Sequence, residues 1–305
     1  MSFENIIGNE KNKAFFNRII DSNNIVHSYM FEGIDGIGKA MFAKEFAKMI
    51  LCMGDNKKEC KTCKSCVEFV GNNNPDFIQI ESDGKVIKIE QIRQMQEKIL
   101  EKPIVSDKKV YIINDADLMT KEAQNCLLKT LEEPPKYIVI ILVLSNESKI
   151  LNTIKSRCMK IIFERLKNEE LLQYARNNFE EKISNSIIEN CDGSIKKLIK
   201  IKENIELYER IEQLIKRFES ENILDIINDS DVLYKNKEII DDILDYMTRL
   251  FYKLLLENKR NCYINIIKEI EETKQRLKAN SNFDMSIDHL IFKIWEEINE
   301  ESNRC

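Results

Sequence analysis

Two stretches of this chain carry residue types at spacings that chemistry could use. Residues 33–42 read GIDGIGKAMF. Gly33, Gly36, Gly38 and Lys39 fit a phosphate-binding loop of the pattern GxxxxGK[ST] up to its last position, where Ala40 replaces the expected Ser or Thr. Glycines there let backbone N–H groups turn toward phosphate oxygens, and the lysine reaches the outer phosphates. The bland alternative is a tight strand-to-helix turn. The second stretch, LCMGDNKKECKTCKSC, places Cys52, Cys60, Cys63 and Cys66 at the spacing C-x7-C-x2-C-x2-C. Two residues between ligands suit a knuckle around a tetrahedral ion, and thiolates favour Zn2+. Four thiolates would fill the shell, so the expected zinc site is structural and closed to water. The alternative is four unrelated thiols in a loop. Cys126, Cys158, Cys191, Cys262 and Cys305 are scattered and read as packing or surface residues.

Both stretches need elements to position them. The apolar spacing predicts a helix over 9–21, with Phe15, Phe16, Ile19 and Ile20 on one side. SYMFEG (28–33) reads as a buried strand, followed by the loop and a helix through FAKEFAKMILC. Residues 53–75 read as cysteine-bearing loop. Strands are expected at 76–82, 109–117, 137–145 and 159–166, and helices over IEQIRQMQEKIL and 121–133, the latter stopped by Pro134 and Pro135. Continuously apolar strands alternating with helices indicate a parallel sheet covered on both faces. After Leu166 strand signals end. Short helices broken at CDGSIKK fill 167–204, and long helical periodicity fills 205–305. The expected domains are therefore 1–166, 167–204 and 205–305.

The loop lacks part of what hydrolysis needs. A Ser or Thr hydroxyl after the lysine would hold Mg2+, supported by a carboxylate at the end of a second strand. That strand, VYIIND, ends in Asn114-Asp115, where an active ATPase has Asp-Glu. Asn114 brings no charge to a metal, and Asp115 is one methylene shorter than glutamate. Two degraded parts together predict weak or absent hydrolysis, with ATP or ADP binding weak or absent.

HSYMFEGIDGIGKA, the four cysteines, NNPDFIQI, IEQIRQM, AQNCLLKTLEEPP and IKSRC follow one another in this order. Together they resemble the bacterial clamp-loader subunits of DNA polymerase III, of the AAA+ class. The resemblance is specific over 1–166 and continues more weakly to LKANSNFDMSIDHLIFKIWEE. It implies an α/β AAA+ domain with a P-loop and a parallel five-stranded sheet, then a small helical lid and an all-α collar domain. The family's gamma/tau-type motors keep the hydroxyl and the Asp-Glu pair; this chain departs from both and so resembles the members without the full ATPase apparatus. The resemblance further implies that Arg157 of Ser156-Arg157-Cys158 projects into a neighbouring subunit's nucleotide site as an arginine finger. On the residues alone, a salt-bridged surface arginine is the competing reading. Ser145 falls at the family's first phosphate sensor, but a strand-ending turn former reads as well. Lys196 stands where ATP-binding members have a second-sensor arginine; a lysine there lacks the planar two-pronged contact. Glu132 and Glu133 read as helix-ending residues, and neither His27 nor His289 is given a role.

The implied partners are gamma/tau and delta subunits in a hetero-pentameric ring, with the sliding clamp and primer-template DNA reached through that complex, as part of the DNA-directed DNA polymerase (nucleotidyltransferase) holoenzyme. Bulk properties agree. The 305 residues are 43% hydrophobic and 32% charged, with only eight glycines and four prolines, a helix-rich globular composition. A net charge of −5 does not suit a protein that grips DNA phosphates alone. No apolar run is long enough to span a membrane and the polar start lacks a signal core, so a bacterial cytoplasmic location is expected. Two other readings stay open: a working clamp-loader ATPase, and a zinc-bearing DNA-binding protein outside replication.

Overall fold

The computed structural model describes residues 3, 6–54, 60–84, 86–180, 183 and 185–302. The chain separates into two compact units, one of residues 1–183 with 191–198, the other of 184–190 with 199–305. The expected lid segment, 167–204, is thus apportioned between both units.

In the first unit, helices α1 (Glu10–Ser22), α2 (Lys39–Leu51), α3 (Lys64–Val70), α4 (Ile89–Ile99), α5 (Lys121–Glu132), α6 (Asn152–Lys155) and α7 (Asn168–Asn178) alternate with strands β1 (Ser28–Glu32), β2 (Phe77–Ile80), β3 (Lys109–Ile113), β4 (Ile138–Leu144) and β5 (Met159–Ile162). The strands form one five-stranded sheet in the order β2-β3-β4-β1-β5, and every pairing is parallel. The side-chain period of two explains why the inner strands β3 and β4 are buried on both faces, whereas the edge strand β5 is largely exposed. Tyr29, Phe31, Val110, Ile112, Val139 and Ile141 join one core with α1 and α2. Met30, Tyr111, Ile113, Ile140 and Leu142 join the other with α4 and α5. Phe16 of α1 anchors the first core, its ring centroid 4.4 Å from Phe46 and 5.4 Å from Phe31.

The expected boundaries change in three places. Residues 53–75 are not all loop, because Lys64–Val70 is helical, opened by Cys63 whose sulfur accepts from the Cys66 N–H. The third strand stops at Ile113, since Asp115 takes a left-handed conformation (φ 48°) and a 3-10 turn, Ala116–Leu118, follows. The last strand stops at Ile162, short of the expected Leu166.

In the second unit the helices are α8 (Asn185–Asn190), the latter half of α9 (Ile195–Glu203), α10 (Ile205–Arg217), α11 (Ile223–Asp229), α12 (Asp231–Lys235), α13 (Ile240–Asn258), α14 (Cys262–Lys278) and α15 (Phe283–Ser302). Its core is formed by stripes at helical spacing, among them Ile243, Met247 and Phe251 of α13, Ile266 and Ile270 of α14, and Ile287, Leu290 and Ile294 of α15. Among the described residues no helix is long and apolar enough to cross a membrane.

Candidate functional site

The glycine-bearing loop joins β1 to α2, at the carboxyl end of the sheet, where open parallel sheets bind ligands. Asn114 and Asp115 follow β3 and Ser145 follows β4, so three adjacent strands bring these residues to one edge. Lys196 arrives from the start of α9. The structure therefore brings together Gly33, Gly36, Gly38, Lys39, Ala40, Asn114, Asp115, Ser145 and Lys196 as one constellation.

Its contacts are made within the protein. The buried Lys39 ammonium donates to the carbonyls of Gly33 (2.7 Å) and Ile34 (2.6 Å) and to Ser145 Oγ (3.4 Å). Burial holds its pKa below the usual lysine range, partly countered by the charges of Asp35, Asp115 and Asp117. The Gly36 carbonyl accepts from the backbone N–H groups of Ile195 (2.9 Å) and Lys196 (3.3 Å). Gly36 has φ +78° and no space for a side chain: a Cβ there would lie 2.3 Å from Ser194 Oγ and 2.4 Å from Lys196 Cβ. Only glycine meets both conditions. Lys196 Nζ reaches Asp35 Oδ2 at 2.6 Å, closing the crown of the loop with an ion pair. Both cations that a nucleotide would claim are thus already matched by protein oxygens. Ala40 is exposed and its side chain offers no ligand atom, and the buried Asn114 Oδ1 has no hydrogen-bond partner among the described residues. Burial, with Asp35 and Asp117 nearby, pushes the Asp115 carboxyl up.

The four knuckle thiols converge. The sulfurs of Cys52, Cys60, Cys63 and Cys66 all lie within 4.8 Å of one another, which suits a metal ion. Backbone N–H groups point at sulfurs, from Gly54 to Cys52 (3.5 Å), from Cys63 to Cys60 (3.3 Å) and from Cys66 to Cys63 (3.4 Å). Such donors favour thiolate. Those from Cys63 and Thr62 bring the Cys60 thiol down to about 6, whereas burial pushes Cys66 up. A Cβ on Gly54 would approach Cys60 Sγ to 3.0 Å, so the loop passes close to that thiol. The donor set and spacing fit a four-thiolate ion. Of the remaining cysteines, Cys191 and Cys262 are buried and Cys126 and Cys158 half-buried, while Cys305 lies outside the described residues.

Arg157 belongs to a different place. It sits between α6 and β5, and its carbonyl accepts from Ser28 Oγ at 2.6 Å. Ser28 opens β1, whereas the phosphate-type loop leaves the far end of the same strand. Ser28 and Gly33 stand at the two ends of this five-residue strand, about 16 Å apart at ~3.3 Å per residue step. The guanidinium forms an ion pair with Glu132 Oε1 through Nη2 (2.8 Å) and donates hydrogen bonds to Thr153 O (2.9 Å) and Ser156 Oγ (3.3 Å) through Nη1. The Glu132 contact escapes sequence reasoning, which gives that residue only a helix-ending role. A usable signal exists: an acid in the last turn of a helix opposes the helix dipole and needs a compensating cation.

Known proteins resemble this chain in graded ways. The family model described as DNA polymerase III, delta subunit, matches residues 8–167. The delta' subunit of DNA polymerase III from Bacillus subtilis is 28% identical over 93% of this chain and 95% of its own length. The gamma subunit from Buchnera aphidicola (Schizaphis graminum) is 31% identical over 67% of this chain, but this chain spans only 58% of it. For the gamma/tau subunit of Mycoplasma pneumoniae the identity is 34% over 56% of the chain and 25% of that protein. A solved structure of a gamma subunit-related protein from Thermotoga maritima superposes with a TM-score of 0.52 at 18% identity, covering 93% of this chain and 99% of that one, which speaks to the AAA+-type fold alone. With a matched family model over more than half its length and a sheet, loop and knuckle arranged as described, the chain belongs to the clamp-loader subunits of DNA polymerase III.

Proposed function

We propose that the chain is a delta'-type stator of the clamp loader: a subunit that does not hydrolyse ATP but completes the site of an adjacent gamma/tau motor with Arg157. The observation that carries this reading is the placement of Arg157 at the edge of the sheet opposite the chain's own loop. An arginine so placed cannot serve the nucleotide site of its own chain, yet it is half exposed and available to a neighbour. The self-matched loop supports the other half of the reading. A nucleotide would have to displace the carbonyl contacts of Lys39 and the Asp35–Lys196 pair, and would find no hydroxyl at Ala40 to hold magnesium. The match along nearly the whole delta' relative points the same way.

In this reading residues 1–166 form the AAA+ domain, 167–204 a helical lid and 205–305 the collar that assembles with gamma/tau and delta subunits in a hetero-pentameric ring. The ring loads the sliding clamp onto primed DNA in the bacterial cytoplasm, as part of the DNA polymerase holoenzyme. Cys52, Cys60, Cys63 and Cys66 would hold zinc, whose contribution is to fold the knuckle.

ATP turnover tests the reading, measured for the chain alone and then with its gamma/tau and delta partners, clamp and primed DNA. The isolated chain is expected to be silent. Arg157→Ala is expected to lower stimulated turnover by about 10³-fold, the lower range for arginine fingers. Turnover by the isolated chain that disappears with Lys39→Ala would instead make it a motor.

A further inference from the structure

We propose that Glu132 is a positioning residue for Arg157, holding the guanidinium in the orientation in which it meets the neighbouring nucleotide; this rests on the trans reading above. The two residues come from separate elements, Glu132 from the end of α5 and Arg157 from the turn after α6. Nη1 of the guanidinium donates to Thr153 O and Ser156 Oγ, and Nη2 forms an ion pair with Glu132 Oε1. A guanidinium carries five N–H donors in a rigid plane, and two of them are used in these hydrogen bonds, so donors stay available for an incoming anion with the plane already set.

Two features argue that the pair serves orientation. Glu132 is half exposed, and ion pairs in that setting contribute little to stability. It is also the last residue of α5, where the negative end of the helix dipole opposes a carboxylate. Pro134 and Pro135 stop the helix there and fix where Glu132 stands along its axis. At the other end of the contact, the Ser28 Oγ bond to the Arg157 carbonyl ties the arginine backbone to the central sheet. Side chain and backbone of Arg157 are thus held from independent elements, as preorganised electrostatic stabilisation requires. A carboxylate also weakens the guanidinium's pull on a phosphate. If that effect outweighed orientation, Glu132 would be a brake, and its removal would raise turnover.

The test uses the assembled complex with clamp and primed DNA, comparing wild type, Glu132→Ala, Glu132→Gln, Arg157→Ala and the double variant E132A/R157A. Glu132→Ala is expected to lower kcat about 10- to 100-fold, in line with slight misplacement of a reacting group, with KM for ATP unchanged. Glu132→Gln keeps an acceptor and falls between. The double variant should be no slower than Arg157→Ala alone, because Glu132 acts only through the arginine. Turnover in both Glu132 variants that matches or exceeds wild type, while Arg157→Ala is defective, overturns the inference and leaves the trans reading standing. An additive double variant overturns it likewise. An Arg157→Ala complex as active as wild type removes both.

Discussion

At the scale of single residues, the loop at 33–39 shows how a nucleotide-type site can be self-satisfied. Lys39 is the residue most often credited with binding phosphate, yet its ammonium is claimed by Gly33 and Ile34 carbonyls. Asp35 adds a carboxylate at the crown, paired to Lys196. Burial pushes the Asp35 carboxyl up, but the Lys196 hydrogen bond and charge, with Lys39, outweigh it and hold the group below the usual carboxylate range. A depressed folded value stabilises the folded state above the unfolded value near pH 4 and loses that effect as pH falls through the lower folded value. Thermal melts of wild type and Asp35→Asn are therefore expected to differ at pH 7 and to converge at strongly acidic pH. A difference that grows toward acid would contradict the pairing.

Among elements, the knuckle is tied to the sheet by a buried polar network. Ser65 Oγ in α3 accepts from Asn74 Nδ2 at 2.9 Å and donates to Ser106 Oγ at 2.9 Å, and Ser106 Oγ donates in turn to the Leu51 carbonyl at the end of α2. Beside it, fully buried Asp76 accepts the backbone N–H groups of Ile104, Val105 and Ser106, each at 2.7 Å. Removing that carboxylate leaves three buried donors without an acceptor. Asp76→Ala is expected to destabilise the protein by about 3 kcal/mol or more in denaturant melts, at roughly 1–3 kcal/mol per buried unsatisfied group. Removing a knuckle metal with a chelator, or replacing Cys66 by Ser, should speed hydrogen exchange in α3 and in 104–106 through Ser65. The amides of α5, on the opposite face of the sheet, should keep their protection. Equal loss across both faces would mean the knuckle supports the whole domain.

Over the whole molecule, the second unit keeps large apolar side chains in water. Tyr252 (55% exposed) and Leu256 (62%) lie one turn apart on α13, and Met285 and Phe292 of α15 are also exposed. Buried helix stripes account for the fold; these outward residues do not contribute to it, and a collar that meets partner helices would use them. Tyr252→Asp with Leu256→Asp is expected to leave the melting temperature of the isolated chain within a few degrees, as surface substitutions usually do. Size-exclusion chromatography should then show loss of assembly with gamma/tau and delta. Intact assembly would place the contact on another face.

Local rules decided much of this protein. Strands alternating with helices, continuously apolar strands and the end of strand signals after Leu166 made the parallel sheet and the all-helical end legible, because burial on both faces and the helical period leave direct marks on the order of residues. The cluster of four cysteines was legible too, since its members are close in sequence. Where Lys39 points, what covers Gly36 and what holds Arg157 were not. The motif does not reveal that Lys39 donates to carbonyls of its own loop, and Lys196 lies 161 positions from the Asp35 it pairs with. Glu132 and Arg157 are distant in sequence and meet only because the turns around β4 bring the end of α5 and the turn after α6 to the same edge of the sheet. The opposition of that edge to the loop follows from strand direction in a parallel sheet. It is a property of the assembled layers, and no window of sequence contains it.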